Sequence, residues 1–186
     1  MNLYDVINST TKNENQKKEA LKRFGYNYDS MLSNGNNSTY YNPETKKLLF
    51  AVKGTNPKSV NDVFTDVALL AGFLKNTNRY KDSKNLLKEA KQKYNEDKTT
   101  IIGYSLGGAI ASGIKSKGDE VYTYNKGVTI GQKLDPNEHA FRSKNDLVSM
   151  FNSNNKHMNT LDNNNFRFQI LKNHDVNNIR NSNISV

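Results

Sequence analysis

The sequence predicts an α/β fold, a mostly parallel central sheet flanked by helices, and three observations support it. Short strand-like apolar runs alternate with stretches whose apolar residues recur every three or four positions, the order that strand–helix–strand units produce. Residues 48–52 are continuously apolar, as a strand covered on both faces should be. Residues 99–104 run into a short Gly/Ser turn and then directly into a helical pattern, the junction found where a parallel strand feeds a helix.

The elements follow in chain order. Residues 1–30 read as an N-terminal helical segment, in which Ala20, Leu21 and Phe24 form a short apolar stripe ended by Gly25; it is expected to pack on the outside of the domain. Residues 38–42 and 48–53 predict two strands around Pro43-Glu44-Thr45-Lys46, with Pro43 supplying a preset φ at the second turn position. Residues 56–74 place Val60, Val63, Phe64, Val67, Leu70 and Leu74 on one side of a helix. The clearest helix spans residues 79–97, with Leu87, Ala90 and Tyr94 on one face and Lys84, Lys88, Glu89, Lys91 and Lys93 on the other. Residues 99–104 predict a strand, 109–114 a helix and 120–124 an alternating strand, with weaker strands near 140–142 and 166–171. From Asp175 onward the chain is expected to fray. No repeat or linker interrupts it, so residues 1–186 are expected to form one domain.

Composition excludes several function classes. A chain of 186 residues can bury roughly 70% of its unfolded surface, enough for a sizeable core. With no cysteine, disulfide frameworks and cysteine zinc sites are ruled out. The longest apolar run, residues 67–74, falls well short of the ~18–20 residues of a spanning helix. Met1-Asn2-Leu3-Tyr4-Asp5 has no apolar signal region, so a cytoplasmic location is expected. Mean hydropathy of −0.85 imitates disorder, but the periodic segments argue for a folded core with polar loops. The net charge of +9 raises anionic partners. The excess is lysine, however, with arginine only at 23, 79, 142, 167 and 180, and asparagine is the commonest residue. Asn, Lys, Tyr and Ile all have codons built from A and T, so an AT-rich gene accounts for the charge. Readers of base edges lean on arginine's fork. Nucleic acid is therefore not the expected partner; transient contact with a membrane surface is compatible with the charge.

The chemistry concentrates at Gly103-Tyr104-Ser105-Leu106-Gly107, a G-x-S-x-G pattern. Such a serine sits on a sharp strand-to-helix bend. Gly103 and Gly107 remove side chains where strand and helix nearly touch, and the first helical N–H groups face the space where an oxyanion would form. The pattern arises by chance in roughly one chain of this length in twenty; the strand before it and the helix after it make it specific. A serine hydroxyl needs a base, and the base needs a carboxylate to fix its tautomer. His139, His157 and His174 all follow the serine. In the chain order serine, acid, histidine, Asp146 lies just after the 140–142 strand signal and His174 just past the last one. His157 is embedded in a polar loop and reads as solvated, while His139 precedes Asp146 and would break the order. Asp135 and Asp162 read as turn residues and Asp175 as a cap. The candidate triad is Ser105, Asp146 and His174.

From about residue 48 to 179 the chain resembles the class 3 lipases of the α/β-hydrolase fold. The resemblance is carried by Phe50-Ala51-Val52-Lys53-Gly54-Thr55, Asn61-Asp62-Val63-Phe64-Thr65-Asp66, Ile102-Gly103-Tyr104-Ser105-Leu106-Gly107-Gly108-Ala109, Phe141-Arg142-Ser143-Lys144-Asn145-Asp146 and His174. It implies a reduced α/β-hydrolase that cleaves lipid esters, without a cofactor or metal, through an acyl-enzyme on Ser105, Asp146 and His174. Thr55 and the Leu106 N–H would form the oxyanion hole. Residues 56–74 would form a lid whose apolar face, with Val60, Val63, Phe64 and Val67, covers the serine; the alternative is an ordinary core helix. Short lipase-like proteins of large DNA viruses look most similar, which would place the chain in a host cytoplasm or a virion. Three positions depart from the family pattern. Tyr104 stands where members commonly have His, Asn125-Lys126-Gly127-Val128-Thr129-Ile130-Gly131 replaces a Gly-x-Pro-Arg-Val-Gly loop, and Asn78-Arg79-Tyr80 replaces a His-x-Gly element. These bear on pocket shape and substrate preference. An acyltransferase or peptidase would use the same triad; a lysine-rich, non-catalytic binder of membranes or nucleic acid is the rival from another class.

Overall fold

Among the described residues, seven strands form one sheet in the order in which they occur along the chain. The computed structural model describes residues 1–55, 73–127, 136–144, 158–161 and 174–186. The strands are β1 (Asn27–Asp29), β2 (Asn37–Asn42), β3 (Lys47–Val52), β4 (Thr99–Tyr104), β5 (Glu120–Tyr124), β6 (Glu138–Ser143) and β7 (Met158–Leu161). The first two junctions are antiparallel and the four from β3 to β7 are parallel, the mostly parallel α/β sheet that the sequence predicts. The described helices are α1 (Leu3–Ser9), α2 (Glu14–Ala20), α3 (Asn78–Tyr94) and α4 (Leu106–Ile114).

Side-chain alternation along the central strands builds two cores. Phe50, Val52 and Ile101 face α3 and α4, where they pack with Leu87, Ala109 and Ile110. Leu49, Ala51 and Ile102, one residue out of phase, face Leu3, Val6, Ile7 and Leu21. Strand side chains alternate faces, so the unbroken apolar run of β3 reflects helices on both sides. Each fully buried Leu, Ile or Phe contributes roughly 1.5–3 kcal/mol. The β2–β3 hairpin closes as expected after Pro43: the Asn42 side-chain oxygen accepts the N–H groups of Glu44 and Thr45 at 3.0 Å, and Lys46 takes a left-handed φ of 52°.

Several expectations need correction. The N-terminal segment is helical, but it is not confined to the outside of the domain. Asn2 and Asn13 each form a capping box, starting two separate helices, and residues 27–29 are a strand. Leu3 and Val6 are fully buried against the sheet; two turns are too short for their stripe to stand out in the sequence. The C-terminal tail is tied down rather than frayed. Ile179 is fully buried, the Leu3 N–H donates to the Ile184 carbonyl at 2.9 Å, and the Val186 N–H donates to the Met1 carbonyl at 3.0 Å. Helix α3 stops at Tyr94 rather than residue 97, because Asn95 turns into the left-handed region with φ 53°. Leu74 lies in a separate 3-10 turn, Leu74–Asn76. Strand β7 was not foreseen: it pairs with β6 through its backbone, and its side chains are exposed or half-buried, so no apolar alternation marks it. The strand expected at 166–171 lies outside the described residues, as do residues 56–72 of the expected lid helix. Among the described residues no helix is long and apolar enough to cross a membrane.

Candidate active site

Strand β4 ends at Tyr104 and α4 begins at Leu106, so the chain reverses through Ser105 alone. Ser105 has φ 54° and ψ −125°, a conformation that costs a side-chain-bearing residue of order 1–3 kcal/mol and persists only where its surroundings hold it. Here the Ser105 N–H donates to the Tyr124 carbonyl at 3.1 Å, and its own carbonyl accepts from Gly108 at 2.9 Å and Gly127 at 3.0 Å. The flanking glycines are required by contact. A Cβ on Gly103 would lie 2.3 Å from the Gly107 carbonyl oxygen, and one on Gly107 would lie 2.3 Å from the Val52 carbonyl oxygen and 2.5 Å from that of Lys53. The first turn of α4 therefore rests directly on the end of β3, which brings Lys53, Gly54 and Thr55 alongside the elbow.

The structure brings Ser105 and His174 together across 69 residues of sequence: Nε2 lies 2.8 Å from the serine Oγ, and each residue is only 2% exposed. Sequence reasoning did not find one contact of the histidine's backbone. The Tyr104 hydroxyl donates to the His174 carbonyl, and the two rings lie 5.1 Å apart at 36°. A phenol can make that long reach from the end of β4; the only signal in the sequence was that Tyr104 departs from the family pattern.

Thr55 lines a cleft of about 370 Å³ together with Ile7, Thr10, Lys53, Tyr104 and His174. Leu106 opens α4, so its N–H is among those with no acceptor inside the helix, and the helix dipole favours negative charge there. From the first turn of α3, Arg79 reaches the same place. It donates to the Lys53 carbonyl and, at 3.5 Å, to the Thr55 hydroxyl; burial lowers its pKa from the ordinary arginine value. A larger hollow of about 450 Å³ lies between the amino ends of β3, β4 and β5, at the other edge of the sheet, and its lining includes neither serine nor histidine.

The other candidates divide. His139 lies on β6 opposite Tyr122, itself level with Ile102, and its ring stacks on Tyr122 at 4.5 Å; that is three strand positions below Ser105, about 10 Å. The Asp175 carboxylate caps the following 3-10 turn by accepting from the Asn177 backbone at 2.9 Å and side chain at 3.0 Å, as the sequence implied. Asp135, Asp146, His157 and Asp162 lie outside the described residues, as do Val60, Val63, Phe64 and Val67. Among the described residues no group of three or more His, Cys, Asp or Glu side chains could hold a metal ion.

Two solved structures are similar to this chain. The native Rhizomucor miehei lipase propeptide complex is 13% identical, with 80% of this chain and 63% of that chain covered at a TM-score of 0.44. A deletion mutant of the same complex is also 13% identical, with 78% and 59% covered at a TM-score of 0.44. The chain thus spans about three-fifths of the length of those lipases. No curated protein matches it. The sequence model of the family described as Lipase (class 3) matches residues 9–116. That match takes in more than half of the chain, including the end of β3, the strained serine and the whole of α4, and on it the chain belongs to the class 3 lipase family.

Proposed function

We propose that the chain is a serine ester hydrolase acting on lipid esters, as a triacylglycerol lipase or phospholipase, with chemistry that draws only on its own side chains. The observation that carries this reading is the 2.8 Å hydrogen bond between His174 Nε2 and Ser105 Oγ, made by a serine in the left-handed elbow conformation. Ser105 Oγ attacks the ester carbonyl carbon while its proton passes to His174 Nε2. The tetrahedral oxyanion is held by the Thr55 hydroxyl and the Leu106 N–H. Collapse breaks the carbon–alkoxide bond, and the histidine gives its proton to the departing alcohol, leaving Ser105 acylated. Water, deprotonated by the same imidazole, then releases the acid. Asp146 serves as the carboxylate that orients the imidazole from its other nitrogen and stabilises the imidazolium. Residues 56–74 serve as the lid, opening at a lipid surface.

The test is covalent capture by a fluorophosphonate probe together with hydrolysis of short esters, triglycerides and phospholipids. Ser105→Ala is expected to remove labelling and turnover. His174→Ala is expected to lower kcat by about 10⁴-fold, since the hydroxyl loses its base. Labelling that persists in Ser105→Ala would overturn the assignment. Turnover of thioesters or amides in preference to oxygen esters would move the reading to an acyltransferase or peptidase on the same residues.

A further inference from the structure

We propose that Arg79 is a positioning residue for the oxyanion hole: its guanidinium sets the Thr55 hydroxyl and the end of β3 so that the hydroxyl proton faces the developing oxyanion. The proposal rests on the hydrolase reading and on the role given there to Thr55.

Three observations converge. First, the hydrogen bonds that the guanidinium donates go to this loop, one to the Lys53 carbonyl and one to Thr55 Oγ1 at 3.5 Å. A threonine hydroxyl has one proton and two lone pairs. When a lone pair is occupied from behind by an arginine N–H, the proton is left to donate elsewhere, and free rotation about the C–O bond is removed. Second, the carbonyl that Arg79 grips also touches the elbow, since a Cβ on Gly107 would come within 2.5 Å of the Lys53 oxygen. Gly107 follows Leu106, so fixing that carbonyl sets the spacing between the two oxyanion donors, Thr55 on one side and the Leu106 N–H on the other. Third, among the described residues the positive charge meets only neutral acceptors. Among the described residues no carboxylate forms an ion pair with Arg79, and its Nε is shielded from solvent without a hydrogen-bond partner. A half-buried cation without a counter-charge carries some desolvation cost in the resting protein. It becomes favourable when negative charge develops beyond Thr55, which is the differential stabilisation that accelerates a reaction.

The anchor is equally built. Thr77 caps α3 by accepting the Tyr80 N–H at 3.2 Å. The Ser83 hydroxyl lies 2.8 Å from both the Arg79 carbonyl and the Asn37 side-chain oxygen, and Asn37 is the β2 partner of Val52. The turn that carries Arg79 and the strand end that it grips are thus tied to the same hairpin.

The experiment measures p-nitrophenyl butyrate hydrolysis by the full chain, with circular dichroism to establish folding, for Arg79→Met, Arg79→Lys, Thr55→Val and the Arg79→Met/Thr55→Val double variant. Thr55→Val is expected to lower kcat roughly a hundredfold. Arg79→Met is expected to lower it at least about tenfold with KM within about twofold, because misplacing a donor weakens the transition state and spares ground-state binding. The double variant should be no slower than Thr55→Val alone, within about threefold, as expected of residues acting as a unit. Added guanidinium ion should partly restore Arg79→Met and leave Thr55→Val unchanged. Losses that multiply in the double variant, or a folded Arg79→Met with wild-type kcat, overturn the proposal. Should Arg79→Met fail to fold, Arg79→Lys is decisive: it keeps the charge and loses the fork, so it should be slowed in kcat and not KM. Wild-type kcat there, or failure of both variants to fold, assigns Arg79 to stability alone. If Ser105→Ala and Thr55→Val are both without effect on activity, the hydrolase reading itself falls; sensitivity at those two with indifference at Arg79 overturns only the present inference.

Discussion

Two sheltered cations stand on either side of the Ser105 elbow, and they are treated differently. On the β5 side, Lys126 is 3% exposed and donates to the Glu138 carboxylate at 2.5 Å. The Ser112 hydroxyl reaches the same oxygen at 2.6 Å, and Lys115 reaches the other at 3.3 Å. On the β3 side, Arg79 meets a backbone carbonyl and a hydroxyl. A buried cation paired with a carboxylate has part of its field cancelled even where, as here, a second lysine shares that carboxylate, and its chief effect is on shape: it joins α4, β6 and the end of β5. A cation with only neutral acceptors keeps its field for charge that appears later, beside the group that would stabilise that charge. On the proposed reading, one cluster serves stability and the other rate.

Glu138→Gln gives the largest expected effect on stability. Removing one partner of a buried pair leaves the other charge uncompensated, so urea unfolding should show a loss of about 3–5 kcal/mol, while kcat per folded molecule stays within about twofold. Arg79→Met should do the reverse, with a stability change of only about 1–2 kcal/mol beside its loss of kcat. A Glu138 variant that is stable but slow would invert the comparison. Next in size is Tyr104→Phe, which removes the hydroxyl bonded to the His174 carbonyl. It is expected to cost about 1 kcal/mol, and if His174 shifts with it, fluorophosphonate labelling of Ser105 should slow several-fold; an unchanged labelling rate would mean that the imidazole is held without it.

The smallest effect is expected at a third pairing, remote from the elbow. Burial raises the pKa of Asp29, but hydrogen bonds from Lys93 and Tyr94 and the Lys93 charge outweigh it, holding the carboxyl below the ordinary aspartate value. A depressed native pKa stabilises the fold above the unfolded value and loses that contribution as pH falls through the folded one. Asp29→Asn keeps an acceptor for Tyr94 and the backbone while losing the charge. It should cost under about 1 kcal/mol at neutral pH, because Lys93 is half-exposed. The difference from wild type in urea midpoint should begin to shrink as pH falls through the ordinary aspartate value, about 3.9, and vanish once pH is below the lower folded value. A gap that widens in acid would reverse the sign of the assignment.

The parts of this architecture that were legible in the sequence share a physical cause: they are local. Gly103 and Gly107 mark the elbow because a bend of one residue between strand and helix leaves no room for Cβ atoms on either side. The apolar run of β3 announces cover on both faces because side chains alternate. The β2–β3 turn is written in Pro43 and Asn42. What escaped was joined through space or by backbone alone. Strand β7 pairs by main-chain hydrogen bonds at the end of the described sheet and has no need of an apolar stripe. Helix α1 buries Leu3 and Val6 within two turns, and the tail is ordered by contacts with the other end of the chain. Residues 78–80 and 104 stood out as departures from the family pattern, but nothing in the sequence could say that Arg79 reaches back 24 residues to Thr55 or that Tyr104 reaches forward 70 to His174.

By itself, then, the sequence determined a two-faced parallel sheet and a strained serine at one strand end, because hydrophobic period and close backbone contact act between near neighbours. Chain order already favoured His174 over His139, and the tertiary structure supplied the hydrogen-bond distance to Ser105; the tertiary structure alone decided that one of the two cations beside the elbow has a carboxylate while the other has none among the described residues. Those choices depend on which strand ends the fold gathers at one edge, and Coulomb and hydrogen-bond energies follow distance in space, to which order along the chain is blind.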